Sequence, residues 1–184
     1  MAFCDHFNTE RQLMSTARPL NPATLQAMAD FPHQLEQFYN AIPESHKDWT
    51  PPSWEGIPSE TFTARGQICH VRDIEIDGYH LRFQRTMQET NPVLESLDGY
   101  ALEKERDYAT ADVRKVLAEF GQARIKTIHM LSGLSPEQLD RTAEFEGYGA
   151  LTLRSLVHYL CSHDQQHLAG LQWLLGKIDA SPAG

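Results

Sequence analysis

Apolar residues recur at helical intervals in four separate stretches of the chain. The first opens at Asn21-Pro22, where Asn can cap and Pro is preset for a first helical turn, and continues through Leu25, Met28 and Ala29. Pro32 lacks an amide proton, so a break or kink is expected near Asp30 before the pattern resumes at Leu35, Phe38 and Tyr39 and stops at Ile42-Pro43. The second stretch runs from about Thr61 to Met87, with Ile68, Val71, Ile74, Leu81 and Met87 on one predicted stripe. The third covers about Tyr108 to Leu131 and is closed by Ser132-Gly133. The fourth, about Leu151 to Lys177, has the sharpest pattern: Leu153, Leu156, Leu160, His163, His167, Gly170 and Leu174 step by threes and fours.

The connections contrast with these stretches. Pro43 to Glu60 is rich in Pro and holds Trp49 and Trp54, so it is read as an ordered loop whose indoles cover one end of the core. Glu144 to Tyr148 is β-like but short, and reads as a turn leading into the last helix. The expected architecture is therefore all-α, a four-helix bundle with long connecting loops over residues 21–178. It is preceded by an arm, 1–20, and followed by a short tail, 179–184.

Composition narrows the function classes. The 16 Lys and Arg against 25 Asp and Glu give a formal charge of −9, which repels phosphate backbones and anionic membranes, so no nucleic-acid or membrane partner is expected. No apolar run approaches membrane-spanning length and no secretory leader is evident. Cys4, Cys69 and Cys161 lack the spacing of a disulfide framework or a Cys-rich zinc module. A soluble, cytoplasmic protein is the expectation. There is no Walker loop, dinucleotide fingerprint, HExxH string or Ser-His-Asp arrangement, and the fourth helix has no Glu-x-x-His pair for a ferritin-like di-iron centre.

The unusual count is nine His. His163 and His167 interrupt the leucine seam of the fourth helix, where residues four apart project together and can chelate one ion. The pair alone leaves two readings open, a metal site or a hydrogen-bonded polar layer in the core. His158 is turned away by about 140°, Cys161 reads as a small core residue, and His80 lies too far along its helix to join them. A metal would need a ligand from another helix, and His70, in QICHVRDIEIDGYH, is the best candidate. Asp73 and Asp77 either orient its ring or a metal-bound water, or belong to a solvated face.

The string HVRDIE in the second helix, the preceding Trp- and Pro-rich loop, and a fourth helix combining a Thr-initiated apolar run with His-x-x-x-His together resemble the DinB/YfiT-like family of metal-binding four-helix proteins. The likeness covers about Leu25 to Lys177. It implies an unusual helix order and a divalent metal held by His70, His163 and His167 with open positions. The segment after His167, HLAGLQ, departs from the pattern of many members. Zinc ranks first because it favours low coordination with an open position, ahead of nickel, iron or copper. The resemblance further implies a small electrophilic substrate, a homodimer, and one of two activities: transfer to a low-molecular-weight thiol, or hydrolysis. The alternative is a noncatalytic metal- or ligand-binding bundle.

Overall fold

Asn21 accepts a hydrogen bond from the Ala23 amide and opens α1 (Pro22–Ala41), the first of four long helical segments in a computed structural model that describes residues 18–181. Most of the arm and the end of the tail, with Cys4 and His6, lie outside the described residues. The helix does not break at Pro32: it runs on to Ala41 with the proline inside it. The carbonyl that Pro32 leaves without an amide partner is that of Met28, and it accepts 2.9 Å from Nη1 of Arg124 on another helix. A backbone defect in one helix is thus satisfied by a side chain from its neighbour.

Thr63 caps α2 (Ala64–Asp73) through the Gly66 amide, and the helix passes through a π-helical segment (Ile74–Tyr79) into α3 (His80–Gln88). The π-segment explains one departure from the expected pattern. Ile74 and Leu81, seven residues apart, share a face in an α-helix, but the extra residue of a wide turn shifts the phase by about 100°. Leu81 is accordingly 53% exposed, while Arg82 and Phe83 turn inward.

A short helix, α4 (Gly99–Arg106), is capped by Asp98. It precedes α5 (Val113–Ser132), which is capped by Asp112 rather than starting at Tyr108. After the one-turn α6 (Pro136–Leu139), the last helix, α7 (Leu153–Asp179), begins at a Thr152 cap. Around the bundle, α1 packs against α5 and α7, and α2 also packs against α5 and α7. The first two long helices therefore lie across the bundle from one another.

The segment expected to be only a turn is part of a small sheet. Strand β2 (Thr142–Phe145) pairs antiparallel with β3 (Gly149–Thr152) and parallel with β1 (Val93–Leu94). Gly147 and Gly149, both at positive φ, make the tight reversal, and the strand partner far upstream was invisible to local periodicity. The expected four-helix architecture holds, with this sheet added at one end. In the other end, Trp49 and Trp54 pack against the core as anticipated, Trp54 stacking on Trp173 at 6.0 Å between ring centroids.

The apolar core forms two clusters. One contains Met28, Ile74, Phe83, Leu131, Phe145 and Leu160. The other contains Phe31, Val71, Phe120, Leu168 and Leu171. On each long helix the change from one cluster to the other occurs at the same level, and there the interior is polar: Glu75, Arg124, Thr127, Asp164 and His167 are buried.

Candidate metal centre

Two helices and one loop assemble the centre. His70 projects from α2, His163 and His167 from adjacent turns of α7, and Glu60 from the loop just before the Thr63 cap. One ligating atom from each of these four residues lies within 4.8 Å of the others, a group of the kind that can hold a metal ion. His163 Nε2 is 3.2 Å from His70 Nε2 and 3.1 Å from His167 Nε2. The Glu60 oxygens are 3.3 Å from His167 Nε2 and 3.8 Å from His70 Nε2. The ring-to-ring spacings match the roughly 3.0–3.4 Å separating two nitrogens that share a cation at the usual metal–nitrogen distance.

Proton bookkeeping favours a cation over a hydrogen-bonded layer. His167 Nδ1–H donates to Gln67 Oε1, so in the neutral ring His167 Nε2 carries a lone pair. His163 Nε2 faces two ring nitrogens and can offer at most one proton between them. Protonation does not rescue the arrangement. Burial, opposed by Asp73, pushes His70 down to about 4. Burial, with His70, Arg124 and Arg82 adding to it, pushes His163 down to about 3. His167 is held well below the usual histidine range by burial and by the other two rings. All three are neutral near pH 7, the form that binds metal.

The surrounding groups fix the rings. Phe62 packs on His70 at 4.8 Å between centroids. On another side is Gly99, where an added Cβ would come within 2.6 Å of His70 Cε1, so the start of α4 can approach only as glycine. His70 and His167 are buried, whereas His163 and Glu60 are only partly buried. Among the described residues, two buried atoms of this cluster find no hydrogen-bond partner, His70 Nδ1 and Glu60 Oε2.

Of the residues singled out in the sequence, His70, His163 and His167 are brought together. Asp73 and Asp77 do not contact the His70 ring. Asp73 accepts from Tyr108 Oη at 2.6 Å and from Arg72 and Arg106, and Asp77 pairs with Arg106 at 2.8 Å. They belong to an arginine-paired cluster instead, because one turn beyond His70 the helix presents Asp73 to Tyr108 and to these arginines. His80 binds Thr127 Oγ1 at 2.9 Å, apart from the centre, and His158 is exposed beside Thr24. Cys69 is buried, its thiol pushed up to about 12 by desolvation, and is neither ligand nor thiolate.

Glu60 and Gln67 were not anticipated. Glu60 comes from a loop without periodicity. Gln67 did carry a signal, since it lies three residues before His70 and therefore on a neighbouring face of the same helix. Equally unforeseen is the salt-bridge cluster below the histidines. Arg124 donates to both oxygens of Glu75 at 3.0 Å and to both oxygens of Asp164 at 2.6 and 2.9 Å, and Thr127 Oγ1 donates to Glu75. Burial raises Asp164 against the pull of Arg124.

Fold and site together define a four-helix bundle with a mid-core histidine cluster suited to a divalent cation. The chain belongs to the DinB superfamily, whose family model matches residues 9–171. Its fold is similar to that of YfiT from Bacillus subtilis, described as a probable metal-dependent hydrolase with an unusual four-helix bundle topology. The TM-score is 0.75 and the identity 23%, over 86% of this chain and 87% of that one. No curated protein sequence gives a significant match. Among the described residues, no helix is long and apolar enough to cross a membrane.

Proposed function

We propose that this protein is a metal-dependent hydrolase of a small electrophilic substrate, with His70, His163 and His167 binding one divalent ion through Nε2 and Glu60 serving as general base. The observation that carries the reading is the convergence of three neutral imidazoles with a carboxylate oxygen, Glu60 Oε2, that finds no hydrogen-bond partner among the described residues. Three neutral ligands leave the ion its full charge. A divalent ion bound there supplies Lewis acidity, acidifying a water and polarising the bond to be cleaved.

The remaining work falls to side chains of this chain. His163, only partly buried, bounds the face by which substrate and water enter. Glu60 Oε2 accepts the proton of the attacking water and returns it to the leaving group, a role typically worth about 10²–10⁴ in rate. The two described cysteines stand outside the cluster, and burial raises both thiols above their ordinary range. Zinc is the first ion to test, followed by nickel, iron and copper.

The test begins with elemental analysis of untagged protein, where close to one equivalent of a divalent metal is expected and its loss in His70→Ala and His163→Ala. Metal-loaded protein is then assayed on activated esters and amides, with and without a low-molecular-weight thiol. Cleavage without thiol, abolished in Glu60→Gln with metal retained, supports the hydrolase. Turnover that requires the thiol overturns hydrolysis in favour of S-transfer. Wild-type protein that neither contains nor binds metal overturns the reading altogether.

A further inference from the structure

Gln67 is fully buried, and its amide is used from both ends. Oε1 accepts from Nδ1 of His167. Nε2 donates to Ser59 Oγ at 2.9 Å, to the Glu60 carbonyl at 3.2 Å and to the Phe62 carbonyl at 3.4 Å. A side-chain amide offers an acceptor and a donor group side by side in one plane. The backbone of the Glu60 loop is therefore tied to the same group that orients a ring of the centre, while the Glu60 carboxylate itself is left without a tether.

A second observation points the same way. Gly170 lies one turn beyond His167 on α7, and an added Cβ there would stand 2.4 Å from Ser59 Oγ and 3.1 Å from Gln67 Nε2. A glycine inside a long helix has a purpose at this position: it lets the Ser59–Glu60 backbone and the Gln67 amide close over the helix surface beside the histidines.

The geometry points to Gln67 as the positioning residue of the centre, selecting the Nδ1–H tautomer of His167 so that Nε2 faces the ion, and holding the Glu60 loop over it, with Gly170 providing the room. The inference rests on the metal-ligand reading above for its consequence, but both of its structural claims concern the metal-free protein. Gln67 touches neither substrate nor ion. It acts through His167 and through the backbone of residues 59–62.

Two substitutions separate the two ends of the amide. Gln67→Leu removes acceptor and donor, whereas Gln67→Glu keeps the acceptor for His167 and turns the donor end into an oxygen facing two carbonyls. Three measurements are made on each: long-range proton–nitrogen NMR of the imidazoles in metal-free protein, zinc affinity by competition with a chromogenic chelator, and amide hydrogen exchange across residues 59–62. In Gln67→Leu the His167 tautomer becomes mixed, zinc binds about 10–100-fold more weakly, and exchange in the loop accelerates. In Gln67→Glu the tautomer and zinc affinity stay near wild type while the loop still loosens.

A Gln67→Leu protein with the wild-type tautomer, zinc affinity and loop protection overturns the inference. So does a Gln67→Glu protein as weak for zinc as Gln67→Leu, since that would make the residue a packing element only. Should Gln67→Leu fail to fold, Gln67→Glu and Gly170→Ala decide. Gly170→Ala must loosen residues 59–62 by crowding Ser59, and unchanged exchange in both overturns the loop claim. If wild-type protein binds no zinc, the proposed function fails while the tautomer and exchange measurements still decide the role of Gln67.

Discussion

Two polar clusters are buried at mid-height in the bundle, and they meet at consecutive residues of α7, His163 and Asp164. The Asp164 cluster is charged and closed: the Arg124 guanidinium is fully engaged by Glu75, Asp164 and the Met28 carbonyl. The His163 cluster is built on neutral rings and is open: its nitrogens point at one another, His70 Nδ1 and Glu60 Oε2 find no hydrogen-bond partner among the described residues, and His163 is partly exposed. A fully satisfied buried network holds structure and has nothing left to offer a ligand, whereas converging lone pairs are stable company only around a cation. The difference separates a bracket from a candidate binding site within one layer of the core.

Acid gives the largest expected separation of the two. Burial pushes His70 and His163 down to about 4 and about 3 in the native protein, against about 6.5 when unfolded, so between these values the unfolded state binds more protons. The stability conferred by keeping these rings neutral is complete above about pH 6.5 and is lost as pH falls toward about 4. Asp164, raised by burial, acts in the opposite sense, but one group stands against three rings. Denaturant midpoints of metal-free protein should therefore fall steeply from pH 7 to 4.5. A triple variant with Leu at 70, 163 and 167 should lose most of that slope. An unchanged slope would take the acid sensitivity away from the histidine rings and break the comparison.

Next comes Arg124→Ala, which leaves two buried carboxylates and the Met28 carbonyl without their donor and should cost about 3–5 kcal/mol in a urea titration. His163→Ala removes a neutral, partly open ring and should cost the metal-free protein far less. Comparable losses would mean that the open cluster is structural after all.

Smaller still is the effect of the ion. Zinc in hundredfold excess over its dissociation constant should add about 2.7 kcal/mol to the wild type and nothing to His163→Ala, as read by thermal shift. The smallest test compares two helix glycines. Among the described residues nothing stands within 4 Å of a Cβ added at Gly121, so Gly121→Ala should stabilise by about 0.5–1 kcal/mol. Gly170→Ala meets Ser59 and Gln67 and should destabilise.

What the sequence disclosed follows from how far each feature depends on distant residues. The seam of α7 was legible because a regular helix projects Leu153 through Leu174 by arithmetic alone, and the two histidines inside it are buried or half-buried as that arithmetic requires. The Asn21 cap and the loop indoles were legible for similar local reasons. Leu81 was misplaced because a single wide turn resets the phase beyond Tyr79, and nothing in IEIDGY announces it. The sheet depends on pairing across some fifty residues (Val93 with Glu144), and Arg124 pairs with partners on three other helical segments. At the centre, the ligand helices could be placed from spacing, but Glu60 could not, because a loop has no period to betray which side chain it delivers.

The wide turn in the second helix has one further consequence. Upstream of it the helix delivers Gln67 and His70; downstream, Arg82 reaches the Glu95 carbonyl at 2.9 Å and lies over the Phe145 ring beside the sheet. A single-residue deletion within Ile74–Tyr79 would restore ordinary winding, swinging Leu81 inward and the Arg82 guanidinium toward solvent. His70 would stay where it is. The segment thus sets the rotational phase between two lengths of one rod, one facing the histidine cluster and the other facing the sheet.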